Sequence, residues 1–304
     1  MTSTILTVDH LDKAFGGKQV LHGVDFFVEE GHVVGLVGPN GAGKSTIMKA
    51  ILGLIPINAG GVEIGGEPVS ITSHRALRKV GALIEYPGIY PFLTGRQHLE
   101  LFAAKHHQAT NIKQIVTALG MDTYIDRKAK LYSLGMKQKL GIAQALVNQP
   151  KLVILDEPMN GLDPQAVKDL RDIIRNMAAN GTSFLISSHI LSELEKVADD
   201  VLILNHGHIV REAPMADLAK VGGLTYVITP ANLSQATTAL TLAKVAYTIE
   251  GATVVLHEDT DTDLLNAALY ALVQNGVAIK AIDRKARDLE AAFLAMVHED
   301  KGEA

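Results

Sequence analysis

The chain has 304 residues, is 47% hydrophobic, carries a formal net charge of −5 and contains no cysteine. That length allows one large core or two ordinary ones; the missing thiols exclude disulfides, thiol catalysis and cysteine metal sites, and the acidic balance argues against general nucleic-acid binding. Apolar runs such as Leu152–Leu155 stop far short of the roughly 18 residues of a membrane span, and Met1–Asp12 lacks the basic and apolar regions of a secretory signal, so a cytoplasmic protein is expected.

The first informative run is Val33–Val37, short, apolar and rich in β-branched residues, which predicts a buried strand. It feeds Gly38-Pro39-Asn40-Gly41-Ala42-Gly43-Lys44-Ser45, a match to G-x-x-x-x-G-K-[ST], after which Ile47, Ile51 and Leu54 recur at helical spacing. In such a loop, backbone N–H groups and the helix N-terminus cradle phosphates. Lys44 neutralises the β- and γ-phosphates of ATP, Ser45 ligates Mg²⁺, and Thr46 is a further phosphate donor.

Further along, Ser133 is a good helix N-cap in Tyr132-Ser133-Leu134-Gly135-Met136. A helix start carrying Ser and Gly is a second phosphate cradle. One chain has a single P-loop to fill it, so a partner subunit is implied. Leu152–Leu155 suits a parallel strand covered on both faces and ends in Asp156 and Glu157. Asp156 is placed to hold Mg²⁺ through water, and Glu157 to orient or deprotonate the attacking water. A third run, Ser183–Ser188, leads to His189, whose ring can reach the γ-phosphate.

Charge marks a boundary. Residues 1–221 hold 22 Lys plus Arg and 22 Asp plus Glu, against 6 and 11 in residues 222–304, and Gly222-Gly223 punctuates the join after a helix-like stretch from Pro214 to Lys220. The tail reads as a strand at Thr225–Thr229, a helix at Leu233–Leu242, strands at Val245–Ile249 and Val254–His257, a helix at Thr262–Gln274, a strand at Ile279–Ile282 and a last helix from Leu289. That order predicts a small ferredoxin-like or related α/β unit. The run Glu258-Asp259-Thr260-Asp261-Thr262-Asp263 reads as a solvated turn and cap, and His106-His107 as surface.

The P-loop, the Ser-x-Gly segment, Leu155-Asp156-Glu157-Pro158, Asn160-Gly161-Leu162-Asp163 and His189 together resemble the ATPase subunits of ABC transporters over about residues 4–218. The resemblance implies an α/β P-loop NTPase domain over 1–221 with a helical insert at about 86–145, and a C-terminal accessory domain over 222–304. It also implies a head-to-tail homodimer in which Ser133 and Gly135 of one subunit close on ATP held by the other's Lys44. Asp163 would shape that interface, and Phe15 stands where an aromatic stacks on adenine, a core aromatic being the alternative. Two places depart from the usual pattern. The signature segment usually reads L-S-G-G-Q; here Ser133 and Gly135 keep the serine and the second glycine, while Leu134 replaces the first glycine and Met136 the glutamine. Glu85 stands where a glutamine normally links Mg²⁺ to the membrane subunit.

Glu85, Ser-Leu-Gly-Met-Lys and Glu-Tyr-Pro-Gly-Ile-Tyr-Pro resemble the bacitracin and lantibiotic self-protection exporters. These imply a separate hydrophobic permease, a position on the cytoplasmic face of the membrane, and a docking surface from about Tyr86 to Lys130. Tyr90, Phe92, Leu93 and Leu99 are its expected apolar anchors, with a plain helical core as the alternative. A soluble ABC ATPase acting on ribosomes or nucleic acid is the competing function. It usually brings paired ATPase units, a long coiled coil or a basic face, none of which is read here. A non-hydrolysing ATP sensor is disfavoured by Glu157 and His189.

Overall fold

The computed structural model describes residues 3–221, 224–258 and 264–286. The chain divides into two compact units, Met1–Met215 and Ala216–Ala304. Gly222 and Gly223, residues 259–263 of the acidic run and the helix expected from Leu289 lie outside the described residues.

The first unit begins with β1 (Thr4–Phe15), β2 (Lys18–Glu29), β3 (Val33–Val37), α1 (Lys44–Ile51), β4 (Ala59–Ile64), β5 (Glu67–Pro68) and β6 (Val80–Leu83). Three helices follow, α2 (Gly95–Phe102), α3 (Gln108–Ala118) and α4 (Leu134–Leu146). The chain then returns through β7 (Leu152–Leu155), α5 (Pro164–Ala179), β8 (Ser183–Ser188), α6 (Leu191–Leu194), β9 (Asp200–Asn205) and β10 (His208–Pro214) to α7 (Met215–Val221). The division between the units falls at the start of α7, whereas the boundary expected at Gly222 follows that helix.

Six strands form one sheet in the order β10-β9-β3-β8-β7-β6, parallel except for the β9–β10 hairpin. Every residue of β3, β7 and β8 is buried, as befits parallel strands covered on both faces. The order brings the ends of β3, β8 and β7 side by side, so the loops that follow them converge at one edge. A second, antiparallel sheet runs β2-β1-β4-β5. Its Leu6, Val8 and Leu11 share one apolar core with Leu36 of β3 and with Ile47 and Ile51 of α1, which fixes the helix behind the P-loop. Leu54, expected on that helix, lies beyond its end and is exposed.

The helical insert is α2 to α4. Thr94 caps α2 through a reciprocal bond pair with Gln97, and the inward face of α2 is Gly95, His98 and Leu99. Leu99 is fully buried, which corrects its expected role as an exposed anchor: with 3.6 residues per turn, it shares a face with Gly95 rather than with the exposed Leu101.

After α7, the second unit holds β11 (Leu224–Pro230), α8 (Leu233–Leu242), β12 (Thr248–Glu250), β13 (Thr253–Glu258), α9 (Leu264–Gln274) and β14 (Ile279–Ala286). Its sheet order is β12-β13-β11-β14 with all neighbours antiparallel, the ferredoxin-like arrangement. Leu240 and Leu272 from the two helices pack with Ile228, Val254 and Leu256 of the sheet. Val245, expected to open a strand, lies instead in the irregular stretch between α8 and β12, where it is buried in that core.

Candidate active site

Local backbone geometry builds the phosphate loop. Gly43 takes φ 116°, a left-handed conformation that glycine tolerates best, and turns the chain into α1 at Lys44. A side chain at Gly38 would run into the carbonyl of Leu204, so glycine there lets the loop lie against β9. Pro39, Asn40 and Gly41 form the exposed tip, and Ala42, whose N–H bonds Pro39 O at 3.1 Å, turns back into the core. Ser45 and Thr46 occupy the first turn of α1, half-buried.

Lys44 is almost fully buried, and its Nζ donates to Gly38 O at 2.6 Å and Pro39 O at 3.3 Å. The same Nζ lies 3.4 Å from Glu157 Oε1. Asp156, at the end of β7, is held on both oxygens: Ser45 Oγ donates to Oδ2 at 2.7 Å and Ser187 Oγ donates to Oδ1 at 2.6 Å. Ser187 also accepts from the Glu157 N–H at 2.8 Å. Glu157 itself sits at φ 48°, a conformation uncommon for residues other than glycine and one that clusters at functional sites. Its Oε2 lies 2.8 Å from His189 Nδ1. Five predicted residues, Lys44, Ser45, Asp156, Glu157 and His189, therefore meet in one cluster.

Other predicted residues stand apart from it. Glu85, at φ 59° just past β6, pairs with Lys49 Nζ at 2.5 Å rather than with Ser45 or Asp156. Ser133 caps α4 by accepting from Met136 N at 3.2 Å and is exposed. Gly135 lies close to Gly161 O, where an added Cβ would come to 3.0 Å, and Gln138 Nε2 donates to Pro158 O at 3.2 Å. The Ser-x-Gly helix start is thus packed against the segment that leaves Glu157. Asp163 is exposed and caps α5 by accepting from Ala166 N at 2.9 Å, and that N–H holds its carboxyl below the usual range. Phe15, at the tip of the β1–β2 hairpin, is half-exposed.

A family model described as "ABC transporter" matches residues 21–160. Over 209 residues the chain is 40% identical to the lantibiotic transport ATP-binding protein SrtF of Streptococcus pyogenes, covering 68% of this chain and 90% of that one. The chain belongs to the ABC transporter ATP-binding proteins. It is also 39% identical over 222 residues to the bacitracin transport ATP-binding protein BcrA of Bacillus licheniformis, covering 72% of each. A solved structure of the ATP-binding subunit of an ABC transporter superposes with a TM-score of 0.66 at 31% identity, covering 71% of this chain and 92% of that one.

As an ABC ATPase, the protein binds and hydrolyses ATP, and two residues that its motifs do not include hold predicted site residues in place: Ser187 the Asp156–Glu157 pair, and Lys49 the outlying Glu85. Ser187 joins Asp156 to Glu157, and its signal in the sequence is only the change from apolar to Ser-Ser at the end of β8. Lys49 is one helical turn past Ser45 and has no motif of its own. No described helix is long and apolar enough to cross a membrane. Tyr86, Tyr90 and Phe92, just before α2, are exposed, whereas Leu93 is half-buried.

Proposed function

We propose that this ABC ATPase powers a separate membrane permease that exports an antimicrobial peptide of the lantibiotic or bacitracin type, protecting the producing cell. SrtF and BcrA, whose names carry those transport roles, support the reading. The exposed aromatics Tyr86, Tyr90 and Phe92 supply the docking surface, holding the protein at the cytoplasmic face of the membrane.

The observation that carries the chemistry is the cluster of Lys44, Asp156, Glu157 and His189. The Lys44 ammonium is held by two main-chain carbonyls and by Glu157 Oε1 at 3.4 Å; an incoming triphosphate brings greater negative charge, draws the ammonium onto the β- and γ-phosphates and releases Glu157 for the water. The Ser45 and Asp156 oxygens, 2.7 Å apart, are hard donors of the kind Mg²⁺ takes alongside phosphate oxygens. When bound, the ion neutralises charge on the β- and γ-phosphates. Glu157 orients the attacking water and accepts its proton, with its carboxylate aimed by His189. The exposed Ser133 and half-buried Gly135 bind the γ-phosphate held by a second copy, and Asp163 lies at that homodimer interface. The accessory domain, residues 222–304, is a separate unit that supports dimerisation or regulation.

The test is Glu157→Gln with ATP and Mg²⁺, following phosphate release and oligomeric state together. The variant should lose turnover and accumulate as an ATP-bound dimer. Normal turnover by a monomer would remove both the assignment of Glu157 and the composite site.

A further inference from the structure

We propose that Lys13 is a nucleobase-positioning residue, holding Phe15 from behind so that the ring's outer face receives adenine. The inference rests on the reading of Phe15 as the adenine platform. It begins near the end of β1, where the pairing with β2 shifts register on both sides of Lys13 and the Lys13 ammonium comes to lie over the ring of Phe15. Lys13 is only 6% exposed, an unusual condition for a lysine. Burial of a cation demands partners, and two are present. Its Nζ donates to Pro56 O at 2.5 Å and lies 4.5 Å from the Phe15 ring centroid, well inside the range of a cation–π contact.

The ring is thus occupied on its inner side, yet it remains 48% exposed. Its outer side is an apolar face fixed in direction from below. The neighbourhood is braced in the same sense: Asn58 Oδ1 accepts from Ala14 N at 2.8 Å, and Asp12 Oδ1 accepts from Gln19 Nε2 at 2.9 Å and from Gly23 N at 2.8 Å. The hairpin also abuts the phosphate loop, since an added Cβ on Gly43 would come within 2.8 Å of the Leu21 side chain. A base stacked on Phe15 therefore sits beside the loop that holds its phosphates. The inner cation draws π-electron density toward itself and leaves the outer face better matched to an electron-rich purine.

The test measures binding of MgATP and of magnesium tripolyphosphate, which has no base, to the full chain by calorimetry, with kcat and KM alongside. Lys13→Met should weaken ATP binding about three- to tenfold while leaving tripolyphosphate affinity and kcat unchanged. Lys13→Arg, whose guanidinium also stacks on aromatics, should recover most of the loss. Phe15→Ala should weaken ATP alone and at least as much. If Phe15→Ala is impaired and Lys13→Met binds ATP normally, the positioning role is wrong and the platform survives. If Phe15→Ala itself binds ATP normally, the platform reading fails. Equal losses for ATP and tripolyphosphate in Lys13→Met, with a lower melting temperature, would make Lys13 a structural residue and overturn the proposal.

Discussion

Ser187 Oγ donates to Asp156 at 2.6 Å. The same oxygen accepts the Glu157 N–H at 2.8 Å, so one hydroxyl from β8 fixes both acidic residues at the end of β7. Hydrogen bonds to charged groups contribute about 1.5–3 kcal/mol. Ser187→Ala should therefore lower kcat by roughly tenfold or more, because Glu157 loses the anchor that keeps it at its left-handed φ. Phosphate release at saturating ATP and thermal unfolding test this together. Unchanged kcat would mean that the backbone alone holds Glu157.

Lys49 and Glu85 form an ion pair of their own, 2.5 Å apart. Lys49 neutralises the Glu85 carboxylate; on the proposed ATP site, an uncompensated charge at position 85 repels the γ-phosphate. Lys49→Met should therefore raise KM for ATP only modestly, because the Glu85 side chain is more than half exposed and solvent screens the repulsion, whereas Glu85→Gln should be tolerated in ATP binding. The double variant should recover most of the lost affinity, a coupling that a double-mutant cycle measures directly. Additive effects would show that the two residues act independently.

Legibility follows sequence distance. The P-loop and the Asp156–Glu157 pair are contiguous and end apolar strands, so their residue types and local order suffice. Ser187, Lys49 and Lys13 owe their roles to partners far along the chain, such as Glu85 for Lys49 and Pro56 for Lys13, and no local period encodes those meetings. The accessory unit is readable as β-α-β-β-α-β because its helices and turns are short and regular. Its second strand is misplaced in the sequence reading because Val245 is apolar for the sake of the core, not of a ladder. Leu99 fails similarly: an apolar residue on a short helix faces inward or outward according to a phase that Gly95 and His98 set only once packed.

The segment before α2 should carry permease docking. Tyr90 and Phe92 are exposed with ring centroids 5.9 Å apart, and His98, fully buried, accepts from Tyr90 N at 2.8 Å through Nε2. Its Nδ1 lies 2.8 Å from Thr94 O, so the ring carries its proton on Nδ1 and staples the loop to α2. Aromatic anchors dominate interface energies, often at about 2 kcal/mol or more each. Tyr90→Ser combined with Phe92→Ser should leave ATPase activity without permease near wild type and abolish copurification with the permease. Retained copurification would move the docking surface elsewhere.

Stability should also depend on pH through His32. Its Nδ1 lies 3.1 Å from Asp200 Oδ2, and that hydrogen bond, opposed by burial and aided by the charges of Asp200, Asp199 and Glu29, raises its pKa above 6.5. A raised folded-state pKa means that the folded chain holds the proton more tightly than the unfolded one. The contribution is then fully present below the unfolded value near 6.5 and is lost as pH rises through the folded value. His32→Gln should therefore lower the melting temperature more at about pH 6 than at about pH 8. The ring is partly exposed, so solvent screening keeps the difference small, and raising the salt concentration should shrink it further. A wild-type minus variant difference that is flat across this window, or larger at the alkaline end, would show that the imidazole contributes by packing and not by charge.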